Sequence, residues 1–163
     1  MKHNWCKCIQ LLPVLLVLLS CARTSHHENN LIDDPFTDAQ TELREAIASI
    51  EKDIETANIE GLQSIHLNSE KFTKFGPRNF DRQDVEQTNE SETAFFSSIS
   101  NVNYEVKELK IDVFGSVGIA TYYPYVTFEK DGEQKEVTGR QTLIFVKVKS
   151  GWKIVHEHGT RRN

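Results

Sequence analysis

From Val102 onward, the sequence alternates apolar and polar residues with a period of two, and only short turn sequences interrupt the alternation. This period is typical of β-strands that bury one face, and it predicts four strands, at residues 102–114, 117–129, 134–149 and 152–159. The connections between them, such as Asp131-Gly132, are short enough only for antiparallel hairpins. Strands longer than the usual ~5–6 residues pack well only when they twist and bend. We therefore expect a curved antiparallel sheet of four or more strands.

Two positions indicate where the strands bend. Tyr104 and Val106 share one face of the first predicted strand, whereas the apolar residues from Leu109 onward have the opposite parity. A β-bulge between Val106 and Leu109 would bring both sets to the core side. Pro124 has no backbone N–H to donate, so it indicates a bulge or an edge in the second predicted strand.

A different period precedes the strands. Between Thr37 and Asn58, apolar residues recur at steps of three and four, which predicts an amphipathic helix of about 20 residues. Its apolar stripe consists of Leu43, Ala46, Ile47, Ile50, Ile54 and Ala57. Thr37 and Gln40 have the spacing of a capping box, and Asn58 is expected to end the helix.

Two shorter helices are predicted at residues 60–66 and 82–98. Asp81 and Asp84 lie near the start of the second one, and helix capping and the helix dipole explain both residues. Residues 67–80 between them are expected to be a loop with some extended structure. Helices followed by an antiparallel meander predict an α+β fold. The first helix is expected to cover the concave side of the sheet.

The N-terminus resembles the signal peptide of a bacterial lipoprotein. Lys2 and Lys7 precede an apolar run over residues 9–19, which is about half the ~20 residues that a spanning helix needs. The run ends in Leu18-Leu19-Ser20-Cys21, which is similar to the lipobox, although an ordinary cleaved signal peptide and an uncleaved anchor are alternatives. The resemblance implies that residues 1–20 are removed, that Cys21 is lipidated, and that residues 21–36 form a flexible tether. Ala22 follows the cysteine, which favours the outer membrane of the bacterial cell envelope, facing the periplasm.

Removal of this leader would change both the charge and the cysteine content. Lys2 and Lys7 leave with it, so the 19 basic residues become 17 against 24 acidic residues, a net formal charge of −7. An acidic chain argues against nucleic acid as a partner. Cys6 and Cys8 also leave, so a disulfide within the domain is excluded. With no phosphate-binding glycine loop and no serine elbow, no cofactor is expected.

Two stretches near the C-terminus resemble the ending of SnoaL-like proteins of the nuclear transport factor 2-like superfamily. They read GRQTLIFV at residues 139–146 and GWKIVHEH at residues 151–158. The opening, from Asn58–Leu62 into Phe72–Pro77, is similar to the family's habitual start. The resemblance implies a cone in which helices close one side of a bent sheet around a pocket, over a domain at residues 37–160. The superfamily includes ketosteroid isomerase, scytalone dehydratase, polyketide cyclases and non-catalytic binding or assembly domains.

The last strand carries the main candidate site. Trp152, Ile154, His156 and His158 have the same parity, and because the first two are apolar, all four are expected to face the pocket. A histidine there can act as a general acid or base, or can bind a ligand. A hydrogen-bonded structural histidine is the alternative. His66 is the only other histidine in the predicted domain, and since no acidic residue is obviously placed to complete a metal site, none is predicted.

Other candidate ligand-binding residues are Arg140, Tyr104, Tyr123 and Trp152. An inward-facing Arg140 could bind a carboxylate or a phosphate as a bidentate fork, and the alternative is an ion pair with Glu157 or another surface acid. Tyrosines could supply hydroxyl donors, although packing in the core or at an interface is their commoner role.

These features favour a membrane-tethered domain that binds a small molecule through His66, Arg140, His156 and His158. One alternative is an enzyme of the isomerase, dehydratase or cyclase type, with His156 or His158 as the acid–base group. Another is a structural dimerisation or assembly domain. Leu143 and Phe145 are expected to point outward from the sheet, and such an apolar surface predicts a homodimer.

Overall fold

The computed structural model describes residues 30–162. Its helices are α1 (Thr37–Glu55), α2 (Ile59–Ile65) and α3 (Val85–Phe96). Its strands are β1 (Thr73–Phe75), β2 (Ser100–Phe114), β3 (Val117–Lys130), β4 (Glu133–Val148) and β5 (Gly151–Arg161). The predicted signal peptide, Cys21 and the first part of the predicted tether lie outside the described residues. In the part of the chain that the structure describes, no helix is both long enough and apolar enough to cross a bilayer.

The strands form one five-stranded sheet in the order β1-β5-β4-β3-β2. Neighbours from β2 to β5 are antiparallel hairpin partners, whereas β1 pairs with β5 in parallel. The predicted α+β fold is confirmed, with every predicted strand within about two residues of its observed bounds. The short β1 lies in the segment for which only some extended structure was expected.

The bulge predicted in β2 is present. The register between β2 and β3 shifts between Lys107 and Lys110, and Glu108 there has a left-handed φ of 55°. Pro124 is not at an edge, since β3 lies inside the sheet, and it pairs with Val106 beside the bulge. The bend lets both halves of β2 turn their apolar side chains toward α1.

Helix α1 packs across the concave side of the sheet, as its stripe predicts. Leu43, Ile47, Ile50 and Ile54 are buried there. The helix also satisfies the free edge of β2, because the carboxylates of Glu51 and Glu55 accept hydrogen bonds from backbone N–H groups of that strand. Unpaired N–H groups on an edge strand would otherwise remain available for another chain.

The helix caps differ from the prediction in two places. The capping box predicted at Thr37 and Gln40 is wrong, because Phe36 occupies the N-cap position with a φ of 45° and no side chain caps the helix. Asn58 does not end α1; it caps the start of α2 by accepting a hydrogen bond from the Gly61 N–H. A capping box does form in α3, where Asp84 was expected to cap.

The predicted outward orientation of Leu143 and Phe145 is wrong. Both side chains lie in the core, where they are 2% and 0% exposed. The alternation of β4 instead places Ile144 on the outer face, opposite Ile119 of β3. The homodimer stays a prediction, but these two core residues cannot form its interface.

Candidate functional site

A cavity of about 650 Å³ lies between the helices and the concave side of the sheet. Its apolar wall comes from all three helices and the sheet, and includes Ile50, Ile54, Leu62, Ile65, Phe95, Phe96, Leu143 and Ile154. Its polar side chains include His66, Lys74, Glu92, Tyr104, Tyr122 and Glu157. The wall of the cavity therefore combines apolar and charged side chains.

Four of the polar side chains, His66, Lys74, Glu92 and Glu157, form one ionic network, which we call the inner cluster. Lys74 of β1 and Glu157 of β5 are register partners, and Lys74 Nζ lies 2.9 Å from Glu157 Oε2. Glu157 Oε1 lies 2.8 Å from His66 Nε2. Lys74 also contacts the carboxylate of Glu92 on α3. The inner cluster thus joins β1, α3 and the residue after α2 to β5, which lies far from them in the sequence.

His66 follows α2 directly and forms an isolated bridge with Ile154 beside β5. Its Nδ1 lies 2.9 Å from Asn89 Oδ1, and its Nε2 faces Glu157. With oxygens on both sides, the ring is best satisfied as an imidazolium that donates twice. Burial by itself lowers the pKa of His66, but the hydrogen bond and the charge of Glu157 outweigh burial, so the pKa of His66 is raised.

Glu157 is held as a carboxylate. Burial raises its pKa, but the charge of Lys74 and the hydrogen bond from His66 outweigh burial and lower the pKa of Glu157 to about 2. Lys74 is held as an ammonium for the reciprocal reason. Burial lowers the pKa of Lys74, and the two carboxylates of Glu157 and Glu92 raise it above its ordinary value. The charges of Lys74 and Glu157 therefore stabilise each other in the interior.

A pair of tyrosines adds hydroxyl groups to the cavity. The hydroxyl oxygens of Tyr104 on β2 and Tyr122 on β3 lie 3.3 Å apart. Burial raises the pKa of Tyr104 to about 12 and the pKa of Tyr122 well above its ordinary value. Both phenols stay protonated, and because only one of them can donate to the other, one hydroxyl hydrogen is free for a ligand.

His66 and Tyr104 lie in the cavity wall as predicted, but His156 and His158 do not. The register between β4 and β5 shifts between Ile144 and Phe145, which pair with His156 and Ile154 respectively, so Val155 is an extra residue in β5. A one-residue bulge reverses the alternation that follows it. The predicted inward orientation of the two histidines is therefore wrong, and Glu157 between them faces the cavity instead.

On the outer face, His156 and His158 lie beside β1. His156 Nδ1 lies 2.8 Å from Thr73 Oγ1. Both imidazole rings pack edge-on against Phe75, with ring centroids 6.0 and 6.1 Å apart. In this arrangement neither ring can reach a molecule in the cavity.

Three further candidates also lie outside the cavity wall. Tyr123 is 49% exposed, because β3 turns Tyr122 inward. Arg140 is exposed on β4, and no ion pair joins it to the buried Glu157 within residues 30–162. Trp152 is buried in the core, and its Nε1 donates to Glu42 over 2.7 Å.

Sequence reasoning missed Lys74, Glu92, Tyr122 and Glu157. A charged residue inside a short strand was the only available signal for Lys74, and Glu157 resembles a surface acid once β5 is read as a regular strand.

His66, Glu92 and Glu157 have ligand atoms within 4.8 Å of one another, a spacing that could hold a metal ion. The ammonium of Lys74 contacts both carboxylates, so the protein supplies its own cation there.

Comparison with known proteins agrees with this architecture. A profile of the SnoaL-like domain matches residues 43–160. The chain is similar in structure to a nuclear transport factor 2-like superfamily protein from Salmonella enterica serovar Typhimurium, with 20% identity, a TM-score of 0.72, and coverage of 78% of this chain and 94% of that one. A candidate dehydratase of the same family from Streptomyces avermitilis is similar at 15% identity and a TM-score of 0.71, with coverage of 80% and 99%. No curated protein matches the chain. The cone predicted from the two C-terminal stretches is thus confirmed.

Proposed function

The chain belongs to the SnoaL-like family, and from that premise we propose that it is a membrane-tethered protein that binds a small, partly apolar molecule in its cavity. One observation carries the proposal: the cavity of about 650 Å³ is not filled by the protein's own side chains, and its wall includes the amino group of Lys74 and the hydroxyl groups of Tyr104 and Tyr122. A purely structural domain would have a narrow, filled interior. Small-molecule sites are typically concave, mainly apolar and equipped with a few well-placed polar groups.

The hydrogen-bond donors in the cavity wall indicate that the ligand has a hydrogen-bond acceptor. Lys74 has three N–H hydrogens, of which two are directed at the carboxylates of Glu92 and Glu157. The third hydrogen and the free hydroxyl hydrogen of the tyrosine pair can both be donated to a ligand. An acceptor such as a carbonyl, ether or hydroxyl oxygen satisfies them, while the apolar body of the ligand contacts the helices.

Acid–base catalysis is the less well supported function. A general base works best when its pKa lies near the working pH. The pKa of Glu157, at about 2, and that of Tyr104, at about 12, are both far from neutral, and both ring nitrogens of His66 already face oxygens. The groups of the inner cluster therefore favour holding a ligand over transferring protons to it.

Binding can be tested with probes that share one ring system. We expect 2-naphthol to bind, as measured by isothermal titration calorimetry on the detergent-extracted full chain, and naphthalene to bind at least about tenfold more weakly, because it has no acceptor for the donors. Tyr122→Phe should weaken 2-naphthol binding. Tyr123→Phe, one residue away on the opposite face, should leave binding unchanged.

Two other results would change the assignment. Equal binding of 2-naphthol by the wild-type protein and both variants would place the site elsewhere. Mass spectrometry of small molecules retained by the purified protein gives an independent test, and conversion of a retained molecule into a product would favour the enzyme.

The tether depends on Cys21. With the lipobox intact, we expect Cys21 to incorporate radiolabelled palmitate and the protein to sediment with membranes. Cys21→Ala should release it to the soluble fraction, because lipid chains contribute ~0.8 kcal/mol for each buried methylene. Cys8→Ala, within the predicted leader, is the matched control and should stay membrane-bound. A Cys21→Ala protein that still sediments would mean that another feature anchors the chain.

A further inference from the structure

The cavity continues into a second chamber that shares none of the residues of the inner cluster. This outer chamber has a volume of about 140 Å³, and the residues that line both spaces include Arg78, Phe96, Tyr104 and Gln141. Its wall is mainly apolar and includes Val126 and Phe128 of β3. A ligand longer than one ring can therefore extend from the tyrosine pair toward the far end of the sheet.

Two arginines, Arg78 and Arg161, line the outer chamber. The guanidinium of Arg78 lies over the ring of Phe95, with Cζ 3.7 Å from the ring centroid. Stacking uses the face of a guanidinium and leaves the N–H groups at its edge available. Burial and the charge of Arg161 lower the pKa of Arg78, and the charge of Glu92 acts in the opposite direction.

Neither arginine forms an ion pair within the described part of the chain. Acidic residues are abundant, with 24 Asp and Glu against 19 Lys and Arg. Both arginines are exposed to solvent at the rim of an apolar wall, so their guanidinium groups are accessible to an anion that enters the chamber. Lys74, by contrast, lies in the interior and has two carboxylate partners.

The backbone holds Arg161 in this position. Arg161 pairs with Gly139 across β4 and β5, and the next residue, Arg162, donates its N–H to the Thr138 carbonyl over 2.9 Å. A Cβ on Gly139 would lie 2.0 Å from the Thr160 carbonyl oxygen, so only glycine permits this close approach of the strands. Arg161 thus belongs to a paired strand and is not part of a free tail.

We propose that Arg78 and Arg161 form the anion subsite of the ligand cavity and that the natural ligand is an amphipathic carboxylate. Its carboxylate lies between the two guanidinium groups, its apolar body occupies the outer chamber, and an oxygen at its other end accepts hydrogen bonds from the tyrosine pair and Lys74. Paired N–H donors of arginine match the planar geometry of a carboxylate. This inference rests on the proposed function, since it assigns the charge and the orientation of the molecule bound in the same cavity.

The test uses 6-hydroxy-2-naphthoate and its neutral isostere 6-hydroxy-2-naphthamide, titrated calorimetrically into the full chain in detergent. We expect the carboxylate to bind at least about tenfold more tightly than the amide, because charge-assisted hydrogen bonds are roughly twice as strong as neutral ones. The double variant Arg78→Gln/Arg161→Gln should bind both probes with the affinity of the amide. The preference for the carboxylate should also fall with added salt.

Arg140→Gln is the matched control, since it removes one positive charge from β4 without altering the cavity wall. It should retain the preference for the carboxylate. Equal binding of the two probes by the wild-type protein, or an Arg140→Gln effect as large as that of Arg78→Gln alone, would overturn the anion subsite while leaving the proposed function intact. Failure of both probes to bind the wild-type protein would contradict both proposals.

Discussion

The two ends of the cavity differ in whether their positively charged side chains have carboxylate partners. At the inner end, the ammonium of Lys74 and the imidazole of His66 each contact a carboxylate of the same chain. At the outer end, Arg78 and Arg161 bring two like charges together with no carboxylate partner among residues 30–162. Charges that a fold neutralises hold its elements together, whereas charges that it leaves unpaired are available to a ligand. If the anion subsite is as we propose, the comparison separates groups that stabilise this protein from groups that select its ligand.

The inner cluster has a structural consequence because its members come from different elements. It connects β1 to β5 through Lys74 and Glu157, and connects both strands to α3 through Glu92. Strand β1 has three residues, and opposite β5 it is joined, within the described chain, only by the isolated bridge between Lys74 and Gln83, so backbone hydrogen bonds alone hold it weakly. The ionic network supplies the cross-links that keep this edge of the cone closed.

Breaking the inner cluster should have the largest effect on stability. We expect Glu157→Gln to lower the free energy of unfolding by about 3–5 kcal/mol, because it leaves Lys74 and His66 buried without their shared carboxylate. Urea denaturation followed by circular dichroism measures the change. Glu133→Gln removes a carboxylate from an exposed pair with Lys135 and should leave the denaturation midpoint unchanged. Similar midpoints for the two variants would show that the inner cluster does not stabilise the fold.

The acid limb of the stability profile should show the same contrast with a smaller amplitude. The folded pKa of Glu157, about 2, lies below the ordinary value of 4.5. A carboxyl group with a lowered pKa contributes stability above its unfolded pKa and loses it as the pH falls toward the folded pKa. Between pH 4.5 and 2 we therefore expect the wild-type protein to lose more stability than Glu157→Gln, in urea titrations at each pH. Parallel profiles would rule out a paired Glu157 carboxylate.

Removing the charges at the outer end should have the smallest effect on stability. Arg78→Gln loses a stacking contact with Phe95, worth about 0.5–1 kcal/mol at an exposed site, and relieves the repulsion from Arg161. We expect the unfolding free energy to change by less than about 1 kcal/mol, measured in the same urea assay. A loss as large as that of Glu157→Gln would make Arg78 a structural residue and would remove the distinction between the two ends.

Predictions from the sequence succeeded where the positions of apolar residues show which face of a strand or helix is buried. The bulge in β2 was predictable because apolar residues stand on both sides of it, so the change of parity between Val106 and Leu109 is visible. The stripe on α1 identified Leu43 and Ile54 as core residues for the same reason. Burial of an apolar side chain is a strong and local preference.

The same reasoning failed in β5 because the residues beyond its bulge are polar. Trp152 and Ile154 indicate the buried face, but His156, Glu157 and His158 carry no hydrophobic signal that could show a change of parity. Val155 is also an ordinary strand residue and does not indicate a bulge. The prediction therefore selected two histidines on the outer face and missed the buried glutamate between them.

What the sequence determined by itself is the class of the fold, the extent of the long strands, and the helix that covers them. These follow from periodicity, which is a property of neighbouring residues. Only the tertiary structure decided which charges lie close together: Lys74 contacts Glu157 through a parallel pairing of distant segments, and Arg78 lines the same chamber as Arg161 at the end of β5. An ion pair depends on the distance between two charges in space, and distance along the chain does not specify it.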